Sequence, residues 1–142
     1  MIKNKYTANL ASPFINHSQQ WENKEHFDIP EDIQKNIVDK LGFIKPSTIQ
    51  SVSIPMITNP PYLAVIAQAR NGTGKTGSFA IGSTLRVDRK DQKLQVLVVV
   101  NTRELCNQIH AVYEKLVDGT GITLSNFNNV TTPTQIVVTT HG

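Results

Sequence analysis

Two glycines, a lysine and a threonine stand close together in Ala69-Arg70-Asn71-Gly72-Thr73-Gly74-Lys75-Thr76. The glycines let the backbone bend until successive N–H groups point into one concavity. A helix starting at the same place adds the positive end of its dipole. Such a concavity suits phosphate oxygens. Lys75 would reach the β and γ phosphates of a nucleotide, and the Thr76 hydroxyl would enter the shell of Mg²⁺ together with phosphate oxygens and water. Ala69 stands where the usual pattern has its first glycine, and a match this good arises by chance in a chain of this length roughly once in a hundred. The plainer reading is a tight strand-to-helix turn. Lys75 counts against it, because the dipole disfavours a cation in the first helical turn.

The elements that must position this loop are legible around it. Residues 63–67 form a short β-rich apolar run just before the loop, and a helix is expected just after it. Residues 95–100 make a second such run. Thr102 suits the N-cap of a helix whose buried stripe is Leu105, Ile109, Val112 and Leu116, with Gly119 or Gly121 near its end. Residues 122–127 alternate apolar and polar, and residues 136–138 form another apolar stub. Upstream, Pro30, Glu31 and Asp32 suit a helix start, Ile33, Ile37 and Leu41 recur every four residues, and Lys40 and Gly42 suit its end. A second helix follows Pro46, with Pro55 placed to kink or split it. Strands separated by helices imply a parallel sheet with right-handed crossovers, covered on both faces. Only residues 128–135 link the last two strands, fewer than the dozen a parallel crossover normally needs. Either those strands are not parallel neighbours or a helix is missing.

With 142 residues, 39% of them hydrophobic and 18% charged, the chain has the composition of one globular domain. Its longest apolar runs are five residues, against the ~20 of a membrane-spanning helix, and no signal-peptide pattern opens the chain. The lone Cys106 makes no internal disulfide, and His17, His26, His110 and His141 are too scattered for a metal motif, which points to a reducing intracellular compartment. Cys106 reads as a small core residue rather than a nucleophile. The positive excess sits between residues 61 and 94, where Arg70, Lys75, Arg86, Arg89, Lys90 and Lys93 face only Asp88 and Asp91. That segment either attracts a phosphate-bearing partner or is a solvated basic loop.

Four strings together resemble the motifs of DEAD-box ATP-dependent RNA helicases. AQARNGTGKTGSFAIG is similar to their ATP-binding motif, and GFIKPSTIQ at 42–50 to their adenine-recognising Q motif. Asn101-Thr102-Arg103-Glu104-Leu105-Cys106 is similar to their Pro-Thr-Arg-Glu-Leu-Ala motif, and the final QIVVTTHG to the strand leading into Thr-Pro-Gly-Arg. The NPPYLAVIAQ stretch resembles the mRNA-export branch, which works at the nuclear pore. The resemblance implies an α/β P-loop NTPase fold, a RecA-like parallel sheet flanked by helices, present as an incomplete domain over residues 27–142 behind a flexible polar leader at 1–26.

By that resemblance the nucleotide is ATP with Mg²⁺, held by residues 69–76 and read by Gln50, whose amide can pair with the N6 donor and N7 acceptor of adenine. Taken without its neighbours, Gln50 is a helix-surface glutamine. Phe27 is the family's base-stacking aromatic, two residues nearer the motif than usual. Thr102, Arg103 and Thr140 face RNA phosphates without reading sequence, although locally Thr102 is also an N-cap and Arg103 a surface arginine. Protein cofactors of the helicase, a location in nucleus and cytoplasm, and no membrane insertion are implied as well. The chain departs from the family where Asn101 replaces Pro, Cys106 replaces Ala and His141 replaces Pro, and no Gly-Gly motif is recognisable between Ile122 and Gln135. No acid follows Asp118 and no arginine follows Arg103, so the hydrolytic carboxylates and the arginine finger are lacking. The expectation is a truncated first half of the helicase's first domain that binds ATP without hydrolysing it at a helicase-like rate. Two alternatives are a non-catalytic ATP- or RNA-binding module and a small P-loop kinase. The kinase leaves the Q motif unexplained.

Overall fold

The computed structural model describes residues 20–62, 64–68, 70, 74–126 and 133–142. Helix α1 (Glu31–Asp39) starts behind Pro30 with two acids in its first turn and buries Ile33 and Ile37. Helix α2 (Thr48–Thr58) opens on a capping box, in which the Ser47 hydroxyl accepts from the Gln50 N–H and the Gln50 side chain accepts from the Ser47 N–H. Helix α3 (Lys75–Leu85) follows Gly74, whose φ of 89° suits only glycine at no cost. Then come β1 (Val96–Val100), α4 (Arg103–Val117), β2 (Leu124–Asn126) and β3 (Ile136–Thr140).

The three strands are all parallel, in the order β1-β3-β2, with Val96 opposite Ile136 and Val100 opposite Thr140. Val100, Ile136 and Val138 lie on the face that joins the core with Cys106, Ile109, Tyr113 and Leu116 of α4. Helix α4 packs on all three strands, α3 on α4, and α2 on α3. The opposite face leaves Leu97 and Val99 more than half exposed, so among the described residues the sheet is not covered on both faces. No described helix is long and apolar enough to cross a membrane.

Several expectations change. Among the described residues of 63–67 there is no strand, and Ile66 is 87% exposed. A strand exists only through hydrogen bonds to a neighbour, and among the described residues β1 pairs with β3 alone. The buried stripe of α4 is turned so that Cys106 and Tyr113 point inward while Leu105 lies 38% exposed. Burial of the Tyr113 phenol pushes its pKa up to about 12, against the opposing hydrogen bond with Ser83. β2 and β3 are parallel neighbours despite the short link. β2 has three residues and rises only about 10 Å, so the returning chain has little length to cross. Gln135 closes the join, its Oε1 accepting from the Thr123 N–H and its Nε2 donating to the Asp91 carbonyl.

The polar leader does not extend to residue 26. Trp21 is buried and donates from Nε1 to the Phe43 carbonyl at 2.7 Å, and its ring packs tilted against Phe27. Nor is α2 split at Pro55, since the helix continues to Thr58. Pro55 has no N–H to give the carbonyl four residues back, which is that of Ser51. The imidazole of His26 takes this role, donating from Nε2 to Ser51 O at 2.7 Å. The proline is tolerated because a side chain 25 residues upstream of Ser51 supplies the missing donor.

His26→Ala should therefore destabilise the fold by about 1–3 kcal/mol, the cost of an unsatisfied buried carbonyl. Pro55→Ala restores an N–H there and should remove most of that loss. Urea unfolding of both single variants and the double checks it, and strictly additive effects would refute the pairing.

Candidate functional site

The N-terminus of α3 has no side-chain cap, because its N-cap residue is Gly74. The first helical N–H groups, those of Lys75, Thr76 and Gly77, have no acceptor within the helix. The Gly74 carbonyl is occupied by the Ser78 N–H at 2.9 Å and the Ser78 hydroxyl at 3.1 Å. Uncapped donors, a dipole and the ammonium of Lys75 together fit an anion. Lys75 and Thr76 line an open cleft of about 570 Å³, walled by Ile57, Val65, Phe79 and Ile109. Arg70 is described and exposed, whereas Ala69, Asn71, Gly72 and Thr73 fall outside the described residues. Among the described residues no three His, Cys, Asp or Glu side chains gather to hold a metal. Mg²⁺ would therefore rely on the Thr76 hydroxyl and on the phosphates themselves, chemistry that hydroxyl can supply.

The Q-motif string folds as expected around its capping box and reaches the loop. Gln50 is 1% exposed. Its Oε1 accepts from the Ser47 N–H at 2.9 Å and its Nε2 donates to the Gly74 carbonyl at 3.4 Å. One acceptor position and one N–H of the amide remain, the pair that adenine needs. Phe27 requires a correction. It is 2% exposed, tilted against Trp21 with centroids 5.2 Å apart and edge-on to His26 at 4.6 Å. Held in the core, it offers no face to a base.

The three nucleic-acid candidates converge. Val100 and Thr140 are register partners, so Thr102, Arg103 and Thr140 sit at the same carboxyl end of a parallel sheet, where α/β folds place their ligands. Thr102 and Arg103 are exposed. The Thr102 hydroxyl also caps α4, accepting from the Leu105 N–H at 3.1 Å, so cap and contact can coexist: the O–H is still free to donate. Cys106 is buried with its Sγ toward the Val138 carbonyl at 3.3 Å, as a core residue should be.

The basic excess divides. Arg89 grips Asp32 with two hydrogen bonds of 2.6 and 2.9 Å, and that hydrogen-bonded guanidinium holds the Asp32 carboxyl below its ordinary pKa. Arg89 therefore joins α1 to the turn before β1. Arg86 lines the cleft and stacks 4.3 Å over the Tyr62 ring. Sequence reasoning placed Arg86 only in a basic run. The signal that could have found it was its position at the C-cap of the loop's own helix, two residues past the buried Thr84.

Comparison with known proteins agrees with this geometry. The family model described as DEAD/DEAH box helicase matches residues 47–142. DEAD-box ATP-dependent RNA helicase 38 of Oryza sativa subsp. japonica is 41% identical over 99 residues, 70% of this chain and 20% of that protein. S. cerevisiae Dbp5 bound to RNA and ADP BeF3 superposes with a TM-score of 0.72 at 28% identity, covering 79% of this chain and 30% of that one. A Dbp5 variant bound to Nup159 and a Gle1 variant gives 0.71 at 29%, covering 79% and 31%. The chain thus spans about a fifth of the length of the curated relatives it matches. Its architecture is a RecA-like α/β fold with a parallel sheet flanked by helices. From the loop, the sheet and these matches it follows that the chain belongs to the DEAD/DEAH box helicase family.

Proposed function

We propose that this chain is the ATP-binding portion of a DEAD-box ATP-dependent RNA helicase, one that couples ATP binding and hydrolysis to RNA binding and remodelling. The observation carrying this reading is the meeting of two motifs in space: the amide of Gln50 is hydrogen-bonded to Gly74, the residue from which Lys75 and Thr76 enter the cleft. Lys75 and the α3 N–H groups hold the phosphates of ATP, Thr76 takes part in holding Mg²⁺, and Gln50 reads the base. Ala69, Arg70, Asn71, Gly72, Thr73 and Gly74 are the remaining phosphate-binding residues in this reading. Mg²⁺ held between the Thr76 hydroxyl and the phosphates would supply neutralisation of phosphate charge there. At the carboxyl end of the sheet Thr102, Arg103 and Thr140 contact the RNA backbone, which is the same whatever the sequence.

Membership of the mRNA-export branch, with work at the nuclear pore alongside protein cofactors, is the finer proposal. The NPPYLAVIAQ stretch supports it, as do the Dbp5 neighbours with RNA and with Nup159 and Gle1. A second reading, a non-catalytic ATP- and RNA-binding module, is favoured by one observation: no carboxylate lines the cleft beside Lys75 among the described residues. Nucleotide-dependent RNA affinity without turnover separates the two.

Lys75→Ala should weaken Mg-ATP binding about ten- to a hundredfold, the worth of a hydrogen bond to a charged group. Titration calorimetry measures it, and unchanged affinity would remove Lys75 from the site. Arg103→Ala should weaken single-stranded RNA binding alike for all sequences and lower the salt slope of log K by about 0.7. An unaltered slope in a salt series would take Arg103 out of the RNA interface.

A further inference from the structure

Gly77 lies in the first turn of α3, where the helical backbone makes no demand for a left-handed conformation. Glycine is the least favourable ordinary residue in a helix, so its presence there calls for a packing reason. The reason is visible. A Cβ at position 77 would come within 2.7 Å of Gln50 Nε2 and 2.8 Å of Phe43 Cε2. Gly74 makes the same room from the other side, its Cβ position lying 2.6 Å from Nε2, but its φ of 89° already requires glycine. The bare Cα of Gly77 therefore makes a seat, and the Gln50 amide occupies it, 1% exposed and turned toward the Gly74 carbonyl.

We infer that Gly77 is a specificity-determining residue of the nucleotide site, providing the seat into which the Gln50 amide withdraws when no base is present. The inference rests on the reading of Gln50 as the group that recognises adenine. An amide in the seat has no exposed edge to offer N6 and N7. ATP must draw it out, and the population held in the seat lowers apparent ATP affinity in proportion. GTP presents two acceptors there, O6 and N7, so the amide oxygen finds no donor and GTP gains less than ATP from a released amide. The chain thus discriminates less between ATP and GTP than its glutamine allows.

Gly77→Ala fills the seat with a methyl group and displaces Nε2. The ATP-to-GTP affinity ratio should rise about two- to tenfold, the equilibrium worth of one net hydrogen bond, the ratio being read so that any effect on the shared phosphate contacts cancels. Gly82→Ala is the matched control. It crowds the same pair of helices, bringing a Cβ to 2.9 Å from Ile57 Cδ1, and does not touch Gln50, so it should leave the ratio alone. A ratio that stays level or falls in Gly77→Ala, or that moves equally in Gly82→Ala, overturns the inference. In the unaltered chain, hydrogen exchange of the Gln50 side-chain amide, followed by NMR, should be slow relative to that of exposed Gln92. Equal rates would overturn the seat without recourse to any variant. Gln50→Ala separates the two layers: a ratio unchanged there refutes adenine reading by Gln50, while the exchange measurement still judges the seat.

Discussion

Helices α2 and α3 approach each other so closely that α3 presents glycine where α2 presents side chains. Gly82 leaves room for Ile57, and Gly77 for Gln50 and the Phe43 ring. A methyl group at either position would meet heavy atoms at or below 3.0 Å, well inside the separation at which carbon atoms attract. Everything proposed for the nucleotide follows from this seam. It brings the residue able to read a base onto the helix able to hold phosphate, and it aims the uncapped end of α3 into the cleft beside α4. Two helices with ordinary side chains along this line would stand farther apart, and Gln50 would be a surface residue with nothing to do.

Local signals in the sequence were reliable where an element is decided by its own residues. Pro30 with its two acids, the helix after Pro46 and the Thr102 cap all appear where their chemistry puts them. They failed where the outcome depends on a neighbour. Residues 63–67 have the composition of a strand, but among the described residues no strand lies beside them. Leu105 has the spacing of a core residue, but the wall it faces is the open cleft. Phe27 was assigned to a base by resemblance, although it stands two residues nearer the motif than usual, whereas Trp21 had a prior claim on its ring. Trp21 and His26 were illegible because their partners, the Phe43 and Ser51 carbonyls, are backbone atoms that no side-chain pattern announces.

Charge shows the same division at longer range. Lys75 stands at the start of α3 and lines the cleft, as its place in the loop suggests. Arg89 looked equally available to phosphate, yet its fork-shaped guanidinium finds the two oxygens of Asp32 across 57 residues of sequence. The basic surface left for a polyanion is therefore smaller than the composition implies. Lys90 and Lys93 remain exposed on the turn, where salt screens their contribution to long-range attraction.

Trp21 gives the molecule an optical readout of its own seam. It is the chain's one tryptophan, its indole N–H is held by the carbonyl of Phe43, and the ring of Phe43 lies over Gly77. Indole emission shifts toward the blue in an apolar setting and toward the red in water. The colour of this protein's fluorescence thus reports whether its N-terminal segment is docked. Because one residue joins that segment to the nucleotide helix, the same light registers strain arriving from the other side, with no label attached.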